Sequence, residues 1–125
     1  MSQENVELIQ RGWEAYEGGD LYGAIAVLSP EMVTYVAPPI PVAGTYRGPE
    51  GFLQVTTDIG YVAEEIRAAG DQVATVALVS GTGRFSGAPF ERRTGQLFTL
   101  RNGRVVRWEA FDDTADAFQA AGLAE

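Results

Sequence analysis

Three turn signals divide the second half of this chain into four segments of strand-forming residues. The turns lie at Gly70-Asp71, at 86–89 and at Asn102-Gly103, and the last dipeptide is typical of two-residue β-hairpins. The strands between them are expected at about 62–69, 72–84, 90–100 and 104–111. Four consecutive strands joined by short turns predict an antiparallel meander, which limits the chain to folds built around a sheet.

The first part of the chain has the periodicity of helices instead. Apolar side chains recur every three or four residues at Val6, Ile9, Trp13 and Tyr16. Gly18-Gly19 follows and ends this first helix, because glycine readily takes the positive φ found there. Asp20 is placed to cap a second, short helix that ends near Ser29-Pro30.

A proline-rich loop separates these helices from a third one. Met32–Val36 is β-branched and aromatic, as strands are, and the prolines at 38, 39 and 41 exclude helix and central strand after it. Gly48-Pro49 begins the third helix, and Asp113 or Thr114 caps a last short one. The expected order α-α-β-α-β-β-β-β-α, in one domain of residues 1–125, is an α+β fold with helices on one face of a curved antiparallel sheet.

The composition excludes several kinds of chemistry. The chain has no Cys, His or Lys, and its nine cationic side chains are all arginines. Thiolate nucleophiles, disulfides, the usual zinc ligands and Schiff-base lysines are therefore excluded, and we expect neither a metal nor a cofactor. The net charge of −8 opposes binding to nucleic acid or to anionic membranes. Without an apolar run of membrane length or a signal pattern, the protein is expected in the cytoplasm.

Several local strings together resemble a known family. They are Gly18-Gly19-Asp20-Leu21, Tyr46-Arg47-Gly48-Pro49-Glu50-Gly51, Asn102-Gly103-Arg104-Val105-Val106-Arg107-Trp108 and Ala120-Ala121-Gly122-Leu123. In this order and spacing the chain is similar to the SnoaL-like branch of the nuclear transport factor 2-like superfamily. The resemblance implies a cone: a strongly curved mixed or antiparallel sheet wrapped around three to four helices, with an internal apolar pocket. It also implies a homodimer through the outer sheet face.

The reactions of the related enzymes do not carry over to these residues. Ketosteroid isomerases need an Asp base, a Tyr and a protonated Asp. The matching positions are Val36 or Ala37 for the base, Gly12 for the Tyr, and Gln96 or its neighbour for the second Asp. Polyketide cyclases of this branch use an Asp, often beside a His, and this chain has no His.

Limonene epoxide hydrolases resemble the chain more closely but also lack a full match. Tyr35 matches a Tyr that helps to hold the attacking water, and Trp108 matches a pocket Trp. The Asn partner is replaced by Ala37, and the Asp that deprotonates water is replaced by Ala110. Because the loss of such a base typically costs factors of about 10² to 10⁴ in rate, the same mechanism is not expected.

The last hairpin can pair in two registers. A two-residue turn places Arg93 opposite Asp112 and Leu97 opposite Trp108. A three-residue loop with a bulge at Gly103 instead sets three pairs, Arg92 with Asp112, Thr94 with Ala110, and Gln96 with Trp108. The resemblance favours the second register, and in either one an arginine lies across from Asp112. By alternation Asp112 shares a face with Val106, Trp108 and Ala110, which the resemblance assigns to the pocket.

These residues lead to a predicted site with three alternative functions. The ligand-binding candidates are Tyr16, Phe52, Arg92, Thr94, Gln96, Trp108 and Ala110. The first prediction is a SnoaL-like protein that binds a small apolar molecule in the cone pocket. The second is a cofactor-independent isomerase, cyclase or epoxide hydrolase in which Asp112 and Tyr35 are catalytic. The third is a structural dimeric domain with a filled cavity, in which the aromatic candidates pack the core and Asp112 forms a surface ion pair.

Overall fold

The computed structural model describes residues 2–38, 40, 42–56, 59–82 and 88–123, and confirms an α+β fold. The elements in chain order are α1 (Ser2–Glu17), α2 (Leu21–Ile25), β1 (Leu28–Val36), β2 (Gly44–Arg47), α3 (Gly48–Thr56), β3 (Gly60–Ala69), β4 (Gln72–Thr82), β5 (Pro89–Arg101), β6 (Arg104–Phe111) and α4 (Thr114–Ala120). None of the described helices has the length and apolar character needed to cross a membrane. The turn expected at 86–89 lies partly outside the described residues, as do Pro39 and Pro41.

Within the described residues six strands form one mixed sheet in the order β2-β1-β6-β5-β4-β3. The meander β3-β4-β5-β6 is antiparallel, as expected, and β1 pairs parallel with β6. Two local expectations were wrong. The short strand β2 was not expected, and α2 ends at Ile25 rather than near Ser29-Pro30, because Leu28 already pairs with Val105 of β6.

Two helices cover the concave face of the sheet. Helix α1 packs on β3 and β4, and α3 packs on β1 and β2. Buried side chains of the concave face alternate along each strand, as in Met32, Thr34 and Val36 of β1. These side chains and the inner faces of α1 and α3 make the main hydrophobic core.

Helix α4 packs on the other, convex face, so the expectation that the helices lie on one face of the sheet was wrong. Asp113 caps it by accepting a hydrogen bond from the Ala115 N–H at 2.9 Å, which decides between the two expected caps. Phe118 lies against a second apolar cluster that includes Val76 and Leu97. A part of the convex face is therefore covered by the chain itself, and the homodimer through the outer sheet face stays a prediction.

The register of the last hairpin differs from the one that the resemblance favours. Asn102 and Gly103 both have positive φ, at 53° and 75°, and form a two-residue turn in which Leu100 pairs with Val105. The register then shifts, so that Phe98 pairs with Trp108 and Gln96 pairs with Ala110. The extra residue in β6 lies between Val105 and Arg107. The second register was therefore wrong, and the first holds only beside the turn.

The shift also changes which residues share a face. Val105 is fully buried in the same core cluster as Trp108 and Ala110, whereas Val106 is only partly buried. The face expected to carry Val106 therefore carries Val105 instead.

Candidate functional site

Six aromatic side chains, which we call the aromatic floor, occupy the middle of the concave face. They are Trp13, Tyr16, Phe52, Tyr61, Phe98 and Trp108. Trp108 is fully buried, with its ring centroid 5.0 Å from that of Phe52 and 6.3 Å from that of Phe98. Most of these contacts are edge-to-face, an arrangement that stabilises aromatic clusters beyond the area they bury. The floor is a packed core in its own right.

Tyr16, expected to contact a ligand, has a structural partner for its hydroxyl. The hydroxyl lies 2.8 Å from the Thr56 carbonyl oxygen and 2.6 Å from that of Ile59, and donates its proton to this pair. Tyr16 thereby ties α1 to the end of α3. Phe52, the other helical candidate, packs its ring against Trp108.

A cavity of about 30 Å³ lies beside the floor, between α1, α2 and α3. Its walls include Ile9, Gly12, Ala24 and Phe52. A cavity needs about 10–15 Å³ of this kind of space to hold one water molecule, whereas sites for drug-sized ligands enclose about 300–1,000 Å³. The cavity is therefore large enough for a few water molecules but too small for a drug-sized ligand.

A hydrogen-bonded polar chain lies next to the floor on strands β4 and β5. Thr75 donates its hydroxyl proton to Oε1 of Gln96 at 2.7 Å, and Nε2 of Gln96 donates to Oγ1 of Thr94 at 2.8 Å. Thr75 and Gln96 are fully buried, and Thr94 is 9% exposed. The polar chain therefore runs from the interior towards the end of the sheet.

An ion pair stands at the end of this chain. Nη2 of Arg92 donates to Oδ2 of Asp112 at 2.9 Å, with the two side chains 58% and 27% exposed. Arg92, Thr94 and Gln96 are alternate residues of β5 and lie on the same face. Asp112 lies two residues after Ala110 of β6 and shares its face. We call Arg92, Thr94, Gln96, Ala110 and Asp112 the mouth of the concave face. The structure thus brings five of the predicted site residues together.

Tyr35 is not among them. It pairs with Glu109, next to the pair formed by Val36 and Ala110, so its side chain lies on the convex face. There the guanidinium of Arg107 stands 5.8 Å from the centre of its ring. Tyr35 and Asp112 therefore lie on opposite faces of the sheet, and the expected catalytic pair is not formed within one chain.

Comparisons with known proteins agree with this architecture. A sequence model of the SnoaL-like domain matches residues 9–108. The chain belongs to the SnoaL-like family. No protein with curated annotation matches its sequence significantly.

Solved structures share the cone fold of this SnoaL-like chain. A nuclear transport factor 2-like protein from Burkholderia thailandensis superposes with a TM-score of 0.76 at 23% identity, over 96% of this chain and 98% of that one. A SnoaL-like polyketide cyclase candidate from Mesorhizobium loti gives 0.68 at 22% identity, over 84% and 96%. TerC, crystallised with polyporic acid, gives 0.73 at 19% identity, over 95% and 98%. The predicted resemblance and cone fold are confirmed.

The SnoaL-like interior also holds polar atoms that the sequence did not single out. The indole N–H groups of Trp13 and Trp108 and the hydroxyl of Thr34 are buried without a hydrogen-bond partner in the described ranges. Burial, together with the neighbouring Tyr16, raises the pKa of the Tyr61 phenol far above its ordinary value. At the surface, a hydrogen bond from Arg93 lowers the pKa of Glu64.

Sequence reasoning missed Thr75 and Tyr61 as site neighbours. Thr75 shares a face with Val73 and Ala77, and that alternation alone could have placed it beside Gln96. Tyr61 was overlooked because the strand was expected to begin at Val62, whereas β3 begins at Gly60. Nowhere in the described residues do three or more acidic side chains gather in a group that could hold a metal ion.

Proposed function

We propose that this SnoaL-like protein binds a small, largely apolar molecule at the mouth of its concave face. The observation that carries the proposal is the amide of Gln96, which is fully buried and hydrogen-bonded on both sides in an otherwise apolar surrounding. Sites for small molecules are mostly apolar and contain a few fixed polar groups that orient the ligand. Gln96 and Thr94 would supply those groups, with Ala110 leaving space opposite Gln96.

The small size of the cavity at the aromatic floor argues against the floor as the site of a drug-sized ligand. The aromatic floor leaves room for only a few water molecules at its side, so a drug-sized ligand would have to displace packed rings. At the mouth, Asp112 and Arg92 are accessible, and solvent reaches the edge of Thr94. TerC, a protein of the same fold, was crystallised with a small molecule, which is in keeping with a binding role.

A nuclear magnetic resonance titration tests this proposal. Backbone amide signals of the labelled protein would be followed on addition of 2-acetonaphthone, progesterone or limonene 1,2-epoxide. We expect at least one probe to shift the signals of Thr94–Gln96 and Ala110–Asp112 most. Gln96→Leu should weaken that binding about tenfold, since an unpaired polar group of the ligand costs about 1–3 kcal/mol. Gln72→Leu, on the same sheet but outside the mouth, is the matched control.

The titration also distinguishes this proposal from a second candidate, a structural domain with a filled interior. That candidate is favoured by the packing of the aromatic floor and the small cavity. Unchanged spectra with all three probes, or shifts confined to the cavity wall at Gly12 and Ala24, would contradict the mouth site and support the structural function. The enzymatic alternative depended on Tyr35 acting with Asp112, which the opposite faces of the two side chains do not support.

A further inference from the structure

The polar chain at the mouth has a direction. In the structure the hydroxyl of Thr75 donates its proton to Oε1 of Gln96 at 2.7 Å. This contact turns the other end of the amide, Nε2, towards Thr94, whose Oγ1 accepts a proton at 2.8 Å. Each group in the series thus donates towards the mouth.

The direction leaves donors at the mouth rather than acceptors. An amide nitrogen carries two protons, and Gln96 uses one of them on Thr94. The oxygen of Thr94 already accepts, so its own proton is available to another acceptor. Among the described residues neither proton has a partner, although Gln96 is fully buried and Thr94 nearly so. These two protons are available to an acceptor that enters the mouth.

The ionic groups nearby favour a neutral acceptor over an anion. The guanidinium of Arg92 is already paired with the carboxylate of Asp112 at 2.9 Å. The chain as a whole has a net charge of −8, which repels anions. A ligand carboxylate would therefore have to compete with Asp112 for Arg92, whereas an uncharged carbonyl oxygen would not.

We propose that Thr75 is a positioning residue that holds the Gln96 amide with its N–H groups towards the mouth, so that the mouth binds a neutral ligand through a carbonyl-type oxygen. The ligand class rests on the proposed function. The orientation of the amide does not, because it is a property of the protein without ligand. The two halves of the inference can therefore be measured separately.

The orientation is measured first, on the free protein. Nuclear Overhauser effects from the side-chain amide protons of Gln96 should be stronger to the methyl group of Thr94 than to that of Thr75. Thr75→Val should abolish this preference, and Thr75→Ser, which keeps the hydroxyl, should retain it. Thr99→Val is the matched control, because Thr99 lies on the opposite face of β5 and accepts from Gln72 at 3.1 Å. A stronger effect to the Thr75 methyl group would overturn the positioning role.

The ligand class is measured with two probes of the same shape. In 2-isopropenylnaphthalene a methylene group replaces the carbonyl oxygen of 2-acetonaphthone, so the pair differs in one acceptor. For each protein we take the ratio of the dissociation constants of the two probes. Comparing this ratio between Thr75→Val and the wild type removes the difference in how readily the two probes leave water. We expect the preference for the ketone to be about tenfold smaller in Thr75→Val, equivalent to about 1.4 kcal/mol. Thr75→Ser and Thr99→Val should keep the wild-type ratio.

The possible failures are distinguishable. Equal ratios in the wild type and Thr75→Val, with both probes bound, would overturn the acceptor preference and leave the proposed function standing. If neither probe binds a protein whose amide has the expected orientation, the ligand class is overturned together with binding at the mouth. A circular dichroism spectrum of Thr75→Val like that of the wild type shows that the variant is folded.

Discussion

At the scale of the residue, Tyr61 shows how the aromatic floor couples burial to ionisation. Its ring lies 5.3 Å from that of Trp13, 5.7 Å from that of Tyr16 and 6.2 Å from that of Trp108. The residue is only 7% exposed. A phenolate in this place would lose its hydration, and this, together with the neighbouring Tyr16, is why the pKa of Tyr61 is raised.

This burial predicts a loss of stability at alkaline pH. The unfolded chain releases the Tyr61 proton near pH 10, whereas the folded chain retains it because the pKa is raised. The folded form therefore holds more protons above pH 10, and its free energy of unfolding should decrease there by up to about 1.4 kcal/mol per pH unit. Urea denaturation between pH 8 and 11 measures this slope, which Tyr61→Phe should reduce.

Tyr22→Phe provides the control for that slope. Tyr22 is 87% exposed, so the same removal of a hydroxyl should leave the pH dependence as in the wild type. If the curves of Tyr61→Phe and the wild type remained parallel up to pH 11, the phenol would not be buried as the structure has it.

At the scale of the element, the docking of α4 depends on one glycine. A Cβ atom at Gly95 would lie 2.7 Å from the Cβ of Ala117 and 3.0 Å from the Cα of Thr114. Helix α4 thus approaches strand β5 at the one point where β5 has no side chain on that face. Phe118 and Leu97 then pack in the cluster under the helix.

We expect Gly95→Ala to displace α4 and to lower the free energy of unfolding by about 1–3 kcal/mol, the usual cost of overpacking. Hydrogen exchange of the amides of 114–120 should accelerate more than that of the β4–β5 pairs. Gly18→Ala is the control, since its new methyl group would lie 3.4 Å from the Glu14 carbonyl oxygen, an ordinary contact. Equal stability of the two variants would contradict the close docking of α4.

The elements also show which parts of the structure the sequence could reveal. Local signals were sufficient for the turn at Asn102-Gly103 and for the cap at Asp113, because turns and caps depend on nearby residues. The register shift after Val105 was not accessible, since a bulge is determined by the strands on both sides. The face of Tyr35 depends on its parallel pairing with Glu109, more than seventy positions along the chain.

At the scale of the whole molecule, the concave face is divided between the packed aromatic floor and the proposed binding site at the mouth. The mouth residues Arg92, Thr94, Gln96 and Asp112 could be expected together, because they alternate on two neighbouring strands. The filled interior could not, because it depends on how side chains from α1, α3 and five strands fit together in volume. Trp108, expected at a ligand, is the largest fully buried side chain of the described residues.

If Trp108 fills the core, its removal should create a cavity that the chain cannot close. We expect Trp108→Ala to lower the free energy of unfolding by about 3–5 kcal/mol, the usual cost for a buried Trp. Indole should then bind in the vacated space. At a concentration 100 times its dissociation constant it should raise the free energy of unfolding of this variant by about 2.7 kcal/mol. Urea denaturation with and without indole measures both effects, and Trp108→Phe, with a smaller loss, serves if the alanine variant does not fold. Indole should not change the free energy of unfolding of the wild type. Trp108 would instead line an open pocket if Trp108→Ala lost less than about 1 kcal/mol of that free energy, or if indole stabilised the wild type equally. The ligand site would then extend from the mouth to the floor.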